Sequence, residues 1–557
     1  MPDPVTPLVQ DLLARLSDDD PVLATQLGLA AGMDRLPSYS EAAVASRVRW
    51  ARETAERLLA LADDPALERG QAVDALIGWQ IAQRIVRDFG LRRVHRSDPV
   101  SYLDSAFGLL YDMTKELAPV EERLAALDGR LRALPGLLEE ARANLTEESP
   151  RLLVEMAVDY AQDISVLAGE AVRGFAEQAG RPGLLDEASR LALDALARHV
   201  EYLRGDLLPV ASPRAGAGRE VIERIVRDEH LLAESPGEIA AFGRTMIGET
   251  AALMDEVARE MGHATVAEAV AAVKGDHPPV GEVVSSYRRA VAEARRYVVD
   301  HDLVTLPPEE LTVEATPSFL TRLAPFAAYE GPGPFEMRQR GFYWVTGPQP
   351  ELGGEELELA LRSHPYASMP TTGAHEAFPG HHTQFVRANR APTLARRIAH
   401  VPLGGTLLIE GWAFYCEELM EREGFLSAPA VRLMRLNDQL WRACRVVIDA
   451  GLHLGDLSYD DAVDLLVTSA HLGLYEARLE VRWYAQAPGY PMSYLVGKRE
   501  VAGLARDFAR ERTTSRKQFH DALLDWGATT PALSRWGMGL GPRPVVSRRA
   551  PGVASGS

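Results

Sequence analysis

The chain has 557 residues, enough to bury a large core, and its 60 basic against 79 acidic residues give a formal net charge of −19. No dense stripe of basic residues occurs, so the composition excludes nucleic acid as a partner. Only two cysteines are present, Cys416 and Cys444, which excludes a disulfide framework and is typical of a reducing compartment.

The chain begins with Met1-Pro2-Asp3-Pro4, and no apolar core of signal-peptide type follows. No stretch of the sequence approaches about 18 uninterrupted apolar residues, the minimum for a membrane-spanning helix. We therefore expect a cytoplasmic protein with no membrane partner.

The N-terminal half carries apolar residues at helical spacing, with charged residues on the opposite faces. Length alone would suggest about three or four domains, but this uniform pattern favours fewer. We predict an N-terminal helical lobe over residues 1–300. The clearest amphipathic segments are Ser40–Leu61, Gly70–Phe89, Val120–Leu145, Arg151–Gln178 and Ile239–Met261.

Between Thr305 and Gly347 the composition changes to proline, glycine and short β-prone segments. The segments Glu310–Glu314 and Gly341–Thr346 predict a small β element around residues 308–347, either a hairpin or separate extended strands.

We expect residues 301–537 to form a catalytic helical lobe, intertwined with the N-terminal lobe because its apolar helices need more cover. Residues 538–557 are rich in glycine, proline, serine and arginine and predict a disordered tail. The expected fold is predominantly α-helical, a large two-lobed body with a cleft and one small β element.

The octet His375–His382 holds three imidazoles and one carboxylate. In the common H-E-x-x-H zinc motif, two histidines four residues apart bind the metal and the glutamate acts as general base. Here the fifth position of the motif is Pro379, so the octet departs from that pattern. Three of only 14 histidines fall within these eight residues, which favours a metal site over scattered packing histidines.

The second histidine ligand is either His381 or His382. On an unbroken helix His382 would return to the face of His375, but about two turns away. Pro379-Gly380 predicts a kink or an end of the helix, which would swing His381 back toward the metal. We predict His381 as the ligand, with His382 as the alternative; the remaining histidine would assist substrate or orient a ligand.

Catalytic zinc needs a third protein ligand and one open position. Glu410 is the only charged side chain between Val401 and Cys416, and a lone carboxylate in an apolar segment needs a partner that offsets its desolvation. We predict Glu410 as the third ligand. Glu417 lies seven residues further on, on nearly the same helical face. For it we favour a solvated helix end over a hydrogen bond to a ligand.

Five segments resemble the DUF885 family in sequence and order: H-E-A-F-P-G-H-H-T-Q (375–384), E-G-W-A (410–413), 445–453, 488–497 and 519–524. That family looks like a distant relative of the helical zinc peptidases. The resemblance covers most of residues 300–537 and the N-terminal half only by general character. It implies a predominantly α-helical metallohydrolase, with a peptidase as the expected activity.

Other residues suit such a site. Arg445, Asp449 and His453 share one helical face, so Arg445 and His453 are candidates for substrate binding; a ladder of surface ion pairs is the alternative. Tyr490 and Tyr494 lie in a turn-rich segment after Pro488-Gly489. We predict Tyr494 as a donor to the oxyanion of the reaction, with simple packing of the ring as the alternative, and Tyr490 as a substrate contact.

The residues together predict a metallohydrolase with one Zn²⁺ held by His375, His381 and Glu410, although Mn²⁺ or Co²⁺ suits the same ligands. Glu376 is the predicted general base, with Tyr494 and His382 assisting catalysis. The predicted substrate is a short peptide; a small acylated amide or ester is the alternative. A catalytically inactive metal-binding or scaffold protein is the non-enzyme alternative.

Overall fold

The computed structural model describes residues 3–317, 321, 327–349, 352–401, 404–512 and 515–547. The N-terminal helices are α1 Val5–Asp19, α2 Pro21–Gln26, α3 Glu41–Ala62, α4 Arg69–Ile85, α5 Val94–Ser97, α6 Val100–Asp104, α7 Phe107–Thr114, α8 Val120–Asn144, α9 Arg151–Val166, α10 Val172–Gln178, α11 Asp186–Tyr202, α12 Arg219–Arg224, α13 Pro236–Glu260, α14 Val266–Lys274 and α15 Val283–Asp300. The C-terminal helices are α16 Gly354–Leu361, α17 Met369–Glu376, α18 His381–Asn389, α19 Leu394–Arg397, α20 Thr406–Arg422, α21 Pro429–Leu454, α22 Tyr459–Ser469, α23 Leu474–Gln486, α24 Ser493–Glu511, α25 Arg516–Leu524 and α26 Pro531–Gly537.

The predominantly α-helical fold predicted from the apolar spacing is confirmed. Each of the five amphipathic segments contains a long helix, and α3, α8 and α13 begin and end close to the predicted bounds. The segment 151–178 forms α9 and α10, joined without a break by the π-helical turn Leu167–Ala171. The two-lobed division at residue 300 stays a prediction.

The small β element is also confirmed, but the two predicted strands do not form a hairpin. Strands β1 Leu311–Ala315 and β3 Gly341–Val345 pair in parallel, with Val313 opposite Tyr343. Parallel neighbours need a crossover connection, and that connection carries β2 Ala327–Glu330, which pairs antiparallel with β3. The strand order is β1-β3-β2, so β2 is an edge strand.

Two helices cross closely at the centre of the C-terminal half. A Cβ atom on Gly411 of α20 would lie 2.4 Å from the backbone carbon of Gly497 on α24, so only glycine allows this approach. Helix α17 packs between α15 and α20. The residues after Gly405 and those around Tyr494 are thereby brought to the end of α17.

N-terminal and C-terminal helices share hydrophobic clusters. One cluster holds Val5, Leu76 and Ile81 from the first helices together with Ile398 and Leu533 from the last third of the chain. Among the residues that the structure covers, no helix combines the length and the apolar character needed to cross a membrane.

The segment predicted as a disordered tail is folded at its start. Met538 and Leu540 are buried in the cluster around α20 and α24, because the chain after α26 turns back onto that cluster instead of leaving the surface. The predicted disorder of residues 538–557 is therefore wrong for the start of that segment. Residues 548–557 lie outside the described residues.

Candidate metal centre

The H-E-A-F-P-G-H-H segment forms two helices with a bend between them. Helix α17 ends at Glu376 and α18 begins at His381, which confirms the predicted interruption at Pro379-Gly380. The Gly380 N–H donates to the carbonyl of Ala374 at 3.0 Å. The indole Nε1 of Trp412 donates to the carbonyl of Pro379 at 2.9 Å, a contact that the sequence did not indicate.

The bend brings His375 and His381 to one carboxylate. The Nε2 atoms of His375 and His381 lie 3.8 and 3.5 Å from the same Oε2 atom of Glu410. The three side chains are buried, and their candidate ligand atoms lie within 4.8 Å of one another. The structure therefore assembles the three residues predicted as metal ligands.

The donor set fits a divalent cation. One carboxylate oxygen of Glu410 accepts a hydrogen bond from the Tyr490 hydroxyl at 2.7 Å, whereas Oε2 is buried without a hydrogen-bond donor. Burial raises the pKa of Glu410, but the neighbouring His381 and then His375 outweigh it and hold the pKa below its usual range. A buried, ionised oxygen that faces two imidazoles and lacks a donor calls for a cation, and two histidines with one glutamate are typical of catalytic zinc.

Glu417 orients His375 from the side opposite Glu410. Its Oε1 lies 2.8 Å from Nδ1 of His375, which assigns the proton to Nδ1 and leaves the Nε2 lone pair for a metal. The predicted solvated position of Glu417 is wrong, because the residue is only 1 % exposed. Helix α20 continues to Arg422, so Glu417 lies on its buried face, where an Arg442 nitrogen is 3.7 Å from the same oxygen.

Glu376 and Tyr494 border the three candidate ligands, and neither side chain makes a hydrogen bond to another described residue. Glu376 is half-buried, and its carboxylate makes no hydrogen bond to another described residue. Burial raises the pKa of this carboxyl to about 7, although His381 opposes the shift. The ring of Tyr494 stacks on that of His375 with centroids 6.4 Å apart. The predicted catalytic roles of these two residues remain predictions.

His382 points away from the three ligands. Its Nε2 donates to the Glu309 carbonyl at 3.2 Å, and its Nδ1 accepts from the Tyr329 hydroxyl at 3.1 Å. The alternative in which His382 replaces His381 as ligand is therefore wrong, because α18 begins at His381 and successive side chains leave a helix about 100° apart. With both nitrogens bonded, His382 also has none left for the predicted contact with substrate.

Tyr329 of β2 is a site residue that sequence reasoning missed. Its ring stacks on the ring of His381 at 6.4 Å between centroids, and His382 holds its hydroxyl. A tyrosine in a four-residue edge strand gives no local signal of this position.

Two of the three guanidinium nitrogens of Arg445 already bind residues of α23, so the group cannot use all of its nitrogens to bind a substrate carboxylate. Its Nε donates to the Tyr484 hydroxyl at 3.0 Å, and one terminal nitrogen donates to Glu480 at 2.9 Å. The predicted substrate contact is therefore corrected to a buried ion pair. The alternative of a surface ladder is wrong as well, since Arg445 is 7 % exposed.

His453 and Asp449 bind backbone groups of neighbouring segments, and Asp449 supports the turn that follows α23. His453 accepts from the Ala217 N–H at 2.9 Å and lies 3.1 Å from the Tyr484 carbonyl, so the predicted substrate contact of His453 is wrong. Asp449 accepts the backbone N–H groups of Gly489 and Met492 at 2.9 and 3.0 Å.

That turn carries Tyr490, whose hydroxyl is bonded to Glu410. In this structure Tyr490 therefore positions a candidate ligand, whereas the sequence had predicted a contact with substrate.

A family model described as "Bacterial protein of unknown function (DUF885)" matches residues 21–535. No curated protein matches the chain. Two solved structures share its fold. A "putative lipoprotein of unknown function" from Shewanella oneidensis is 20 % identical with a TM-score of 0.78, over 95 % of this chain and 98 % of its own. A "putative lipoprotein" from Colwellia psychrerythraea is 18 % identical with a TM-score of 0.78, over 96 % and 98 %.

A third structure, the M32 carboxypeptidase from Deinococcus radiodurans R1, is 12 % identical over 95 % of each chain with a TM-score of 0.39. That score is too low to carry an argument about fold or activity.

The two well-matched structures contradict the predicted cytoplasmic location. Both carry the description "putative lipoprotein", and a lipoprotein is held at a membrane surface by its lipid. The prediction rested on two cysteines and on the residues at the start of the sequence. A low cysteine content does not identify a compartment, because a large helical core is stable without disulfides.

Proposed function

Since this chain belongs to the DUF885 family, whose description assigns no activity, we propose from its own residues that it is a metal-dependent hydrolase that cleaves amide bonds in peptides. The observation that carries the proposal is the buried Glu410 oxygen without a donor, faced by His375 and His381. Beside these residues lies the carboxylate of Glu376, which makes no hydrogen bond to another described residue. A purely structural metal site would not need such a carboxylate.

His375, His381 and Glu410 would hold the cation. Zn²⁺ suits two imidazoles and a carboxylate, and Mn²⁺ or Co²⁺ suits the same donors. Bound there, the cation would polarise a substrate carbonyl and favour ionisation of water. Glu417 and Tyr490 keep His375 and Glu410 in orientation through their hydrogen bonds.

Glu376 is the proposed general base. Its carboxylate would take a proton from the attacking water and return it to the nitrogen of the leaving amine. No hydrogen bond to another described residue has to be broken for either transfer. Because Glu376 directly precedes the bend, its position is fixed by the same backbone that fixes His375.

Tyr494 is the proposed donor to the oxyanion. Burial raises the pKa of its phenol, and the nearby carboxylate of Glu410 adds to the shift. The hydroxyl is therefore protonated at neutral pH and able to donate. The guanidinium carbons of Arg445 and Arg442 lie 4.8 and 5.5 Å from its ring centroid, which restricts the ring to one orientation.

The test combines metal content with a peptide-library digest of protein purified without a metal-affinity tag. We expect about one equivalent of metal and cleavage of short peptides. Glu376→Gln should retain the metal and lose about 10²-fold or more in kcat, whereas Glu293→Gln, on an exposed part of α15, should change neither.

Loss of metal from Glu376→Gln, or full activity in it, would refute the role of Glu376. Metal-loaded protein that hydrolyses small acylated amines but no peptide would replace the peptide substrate with such a metabolite.

A further inference from the structure

A cavity of about 560 Å³ lies between the first helices and the turn after α23. Its apolar lining includes Val22, Ile85, Phe89 and Trp483. This volume accommodates several amino-acid residues, since ligand pockets start at about 300 Å³.

The cavity adjoins the candidate metal centre. Its lining includes Thr406, one turn before Glu410 on α20, and Tyr490. The hydroxyl of Tyr490 is bonded to Glu410, and the Trp483 ring lies 5.5 Å from the Tyr490 ring. One side chain thus forms a wall of the cavity and a contact to a metal ligand.

The positive charges of the lining are already neutralised within it. Each arginine is paired with an acidic residue of the same lining: Arg47 with Asp19 at 3.6 Å, Arg87 with Asp88 at 2.9 Å and Arg92 with Asp98 at 3.0 Å.

Two further carboxylates of the lining, Asp20 and Asp104, form no such close ion pair, although the charges of Arg47 and Arg130 act on Asp20 from a longer distance. No nitrogen of a described lysine, arginine or histidine lies within 4 Å of either. Asp104 accepts a hydrogen bond from Gln486 at 3.3 Å, and Asp20 accepts the backbone N–H of Leu23 at 3.0 Å. Burial raises the pKa of Asp104 to about 7, and the charge of Asp98 adds to the shift, as expected for a carboxylate that lacks a cation.

A metal ion is a poor occupant for these two residues. Within the described part of the chain, the residues grouped closely enough to share an ion are His375, His381 and Glu410, and neither Asp20 nor Asp104 belongs to such a group. An organic cation with an apolar body matches the mixed lining better.

We infer that this cavity is the subsite for the end of a peptide substrate that bears a primary ammonium group, received by Asp20 and Asp104. The inference rests on the proposed function and specifies its substrate class. The ammonium group could come from the peptide's amino terminus or from a lysine side chain, and the two sources share the same chemistry.

The test measures binding by calorimetry to zinc-loaded Glu376→Gln protein, so that turnover is not required. The probes are Leu-Ala-Ala amide, its N-acetylated form and N-acetyl-Lys-Ala-Ala amide. We expect at least one ammonium-bearing peptide to bind about 10-fold or more tightly than acetyl-Leu-Ala-Ala amide, because a charge-assisted hydrogen bond is lost in the latter. The tighter of the two identifies the source.

Asp104→Asn and Asp20→Asn in the same background should reduce that preference to less than about 3-fold. Both changes are conservative, since asparagine accepts the same hydrogen bonds and caps a helix as well as aspartate. Asp11→Asn, an equal change of charge on the exposed face of α1, should preserve the preference.

The inference would be overturned if Glu376→Gln protein bound ammonium-bearing and acetylated peptides with equal affinity, or if no probe bound. It would also be overturned if the affinity ratio stayed unchanged in both aspartate variants. Cleavage by the wild-type protein separates the two proposals. Peptide cleavage without tighter binding of ammonium-bearing probes would support the proposed hydrolase and refute the ammonium subsite. Tighter binding of those probes without cleavage of any substrate would refute the hydrolase and support the subsite.

Discussion

Glu417 and His375 are joined by a 2.8 Å contact between Oε1 and Nδ1, although 42 residues separate them along the chain. The contact lies in the interior, with Glu417 1 % and His375 5 % exposed. It fixes both the tautomer and the plane of the imidazole, which is the arrangement that a metal-binding histidine needs.

Replacing Glu417 should therefore weaken metal binding without removing a ligand. We expect Glu417→Gln to lower metal affinity by about 10- to 100-fold, the usual cost of losing a carboxylate behind a metal-binding histidine. Chelator competition measures the affinity. Glu418→Gln is the matched control, because Glu418 bonds Lys498 at 2.9 Å and does not touch the histidines. Equal affinities in the two variants would show that Glu417 only fills space.

The three candidate ligands were predictable because their signal is local. A histidine-rich octet with an internal Pro-Gly and a lone acid in an apolar segment can be recognised without knowing how helices pack. The bend followed from the chemistry of proline, and it places His381, not His382, beside Glu410. The helices were predictable for the same reason, since apolar spacing specifies a face.

The supporting residues were not predictable, because their positions depend on which neighbour covers each face. Arg445, Asp449 and His453 do share a face of α21, as their spacing indicates. That face meets Tyr484 of α23 and the turn at Gly489 instead of an open cleft. Glu417 resembled an exposed helix end for the same reason.

Tyr490 and Tyr494 should separate metal binding from catalysis. Tyr490→Phe removes the hydrogen bond to Glu410, so we expect about a 10-fold loss of metal affinity. Tyr494→Phe removes a hydroxyl that bonds no described residue, so metal affinity should stay and kcat should fall about 10²-fold. Chelator competition measures the metal affinity of both variants. Their kcat is measured at saturating zinc on the peptide found in the digest. A Tyr494→Phe enzyme with normal kcat would assign the oxyanion to another donor.

His520 should make the fold sensitive to acid. The fully buried ring accepts from the Tyr415 hydroxyl at 3.0 Å and lies 2.7 Å from the Leu303 carbonyl. Burial lowers the pKa of His520 to about 4 from an ordinary 6.5. Between these values the unfolded chain binds a proton that the folded chain excludes. The contribution of His520 is therefore complete above pH 6.5 and is lost as the pH falls toward 4.

We expect the stability advantage of the wild type over His520→Gln to shrink by up to about 3 kcal/mol across that window. Chemical unfolding at several pH values measures it, and subtracting the two curves cancels the other titrating groups. His301→Gln, at an exposed position, should run parallel to the wild type. Parallel curves for His520→Gln as well would mean that the ring is protonated in the folded protein.

Gly380 should be the least replaceable residue of the bend. A Cβ atom there would lie 1.8 Å from the carbonyl oxygen of His375 and 2.5 Å from that of Ala374. Both contacts are with backbone, so the two helices would have to move apart and His381 would leave Glu410. We expect Gly380→Ala to lower the free energy of unfolding by more than about 2 kcal/mol and to abolish stoichiometric metal binding.

Gly248→Ala provides the matched control, because a Cβ at that position in α13 meets no atom within 4 Å. Alanine is a better helix former by about 0.5–1 kcal/mol, so this variant should be slightly more stable and keep its metal. Thermal unfolding and elemental analysis of both variants decide the matter. A Gly380→Ala protein that binds one metal and unfolds at the wild-type temperature would show that the bend can widen without separating His381 from Glu410, and the steric argument would be wrong.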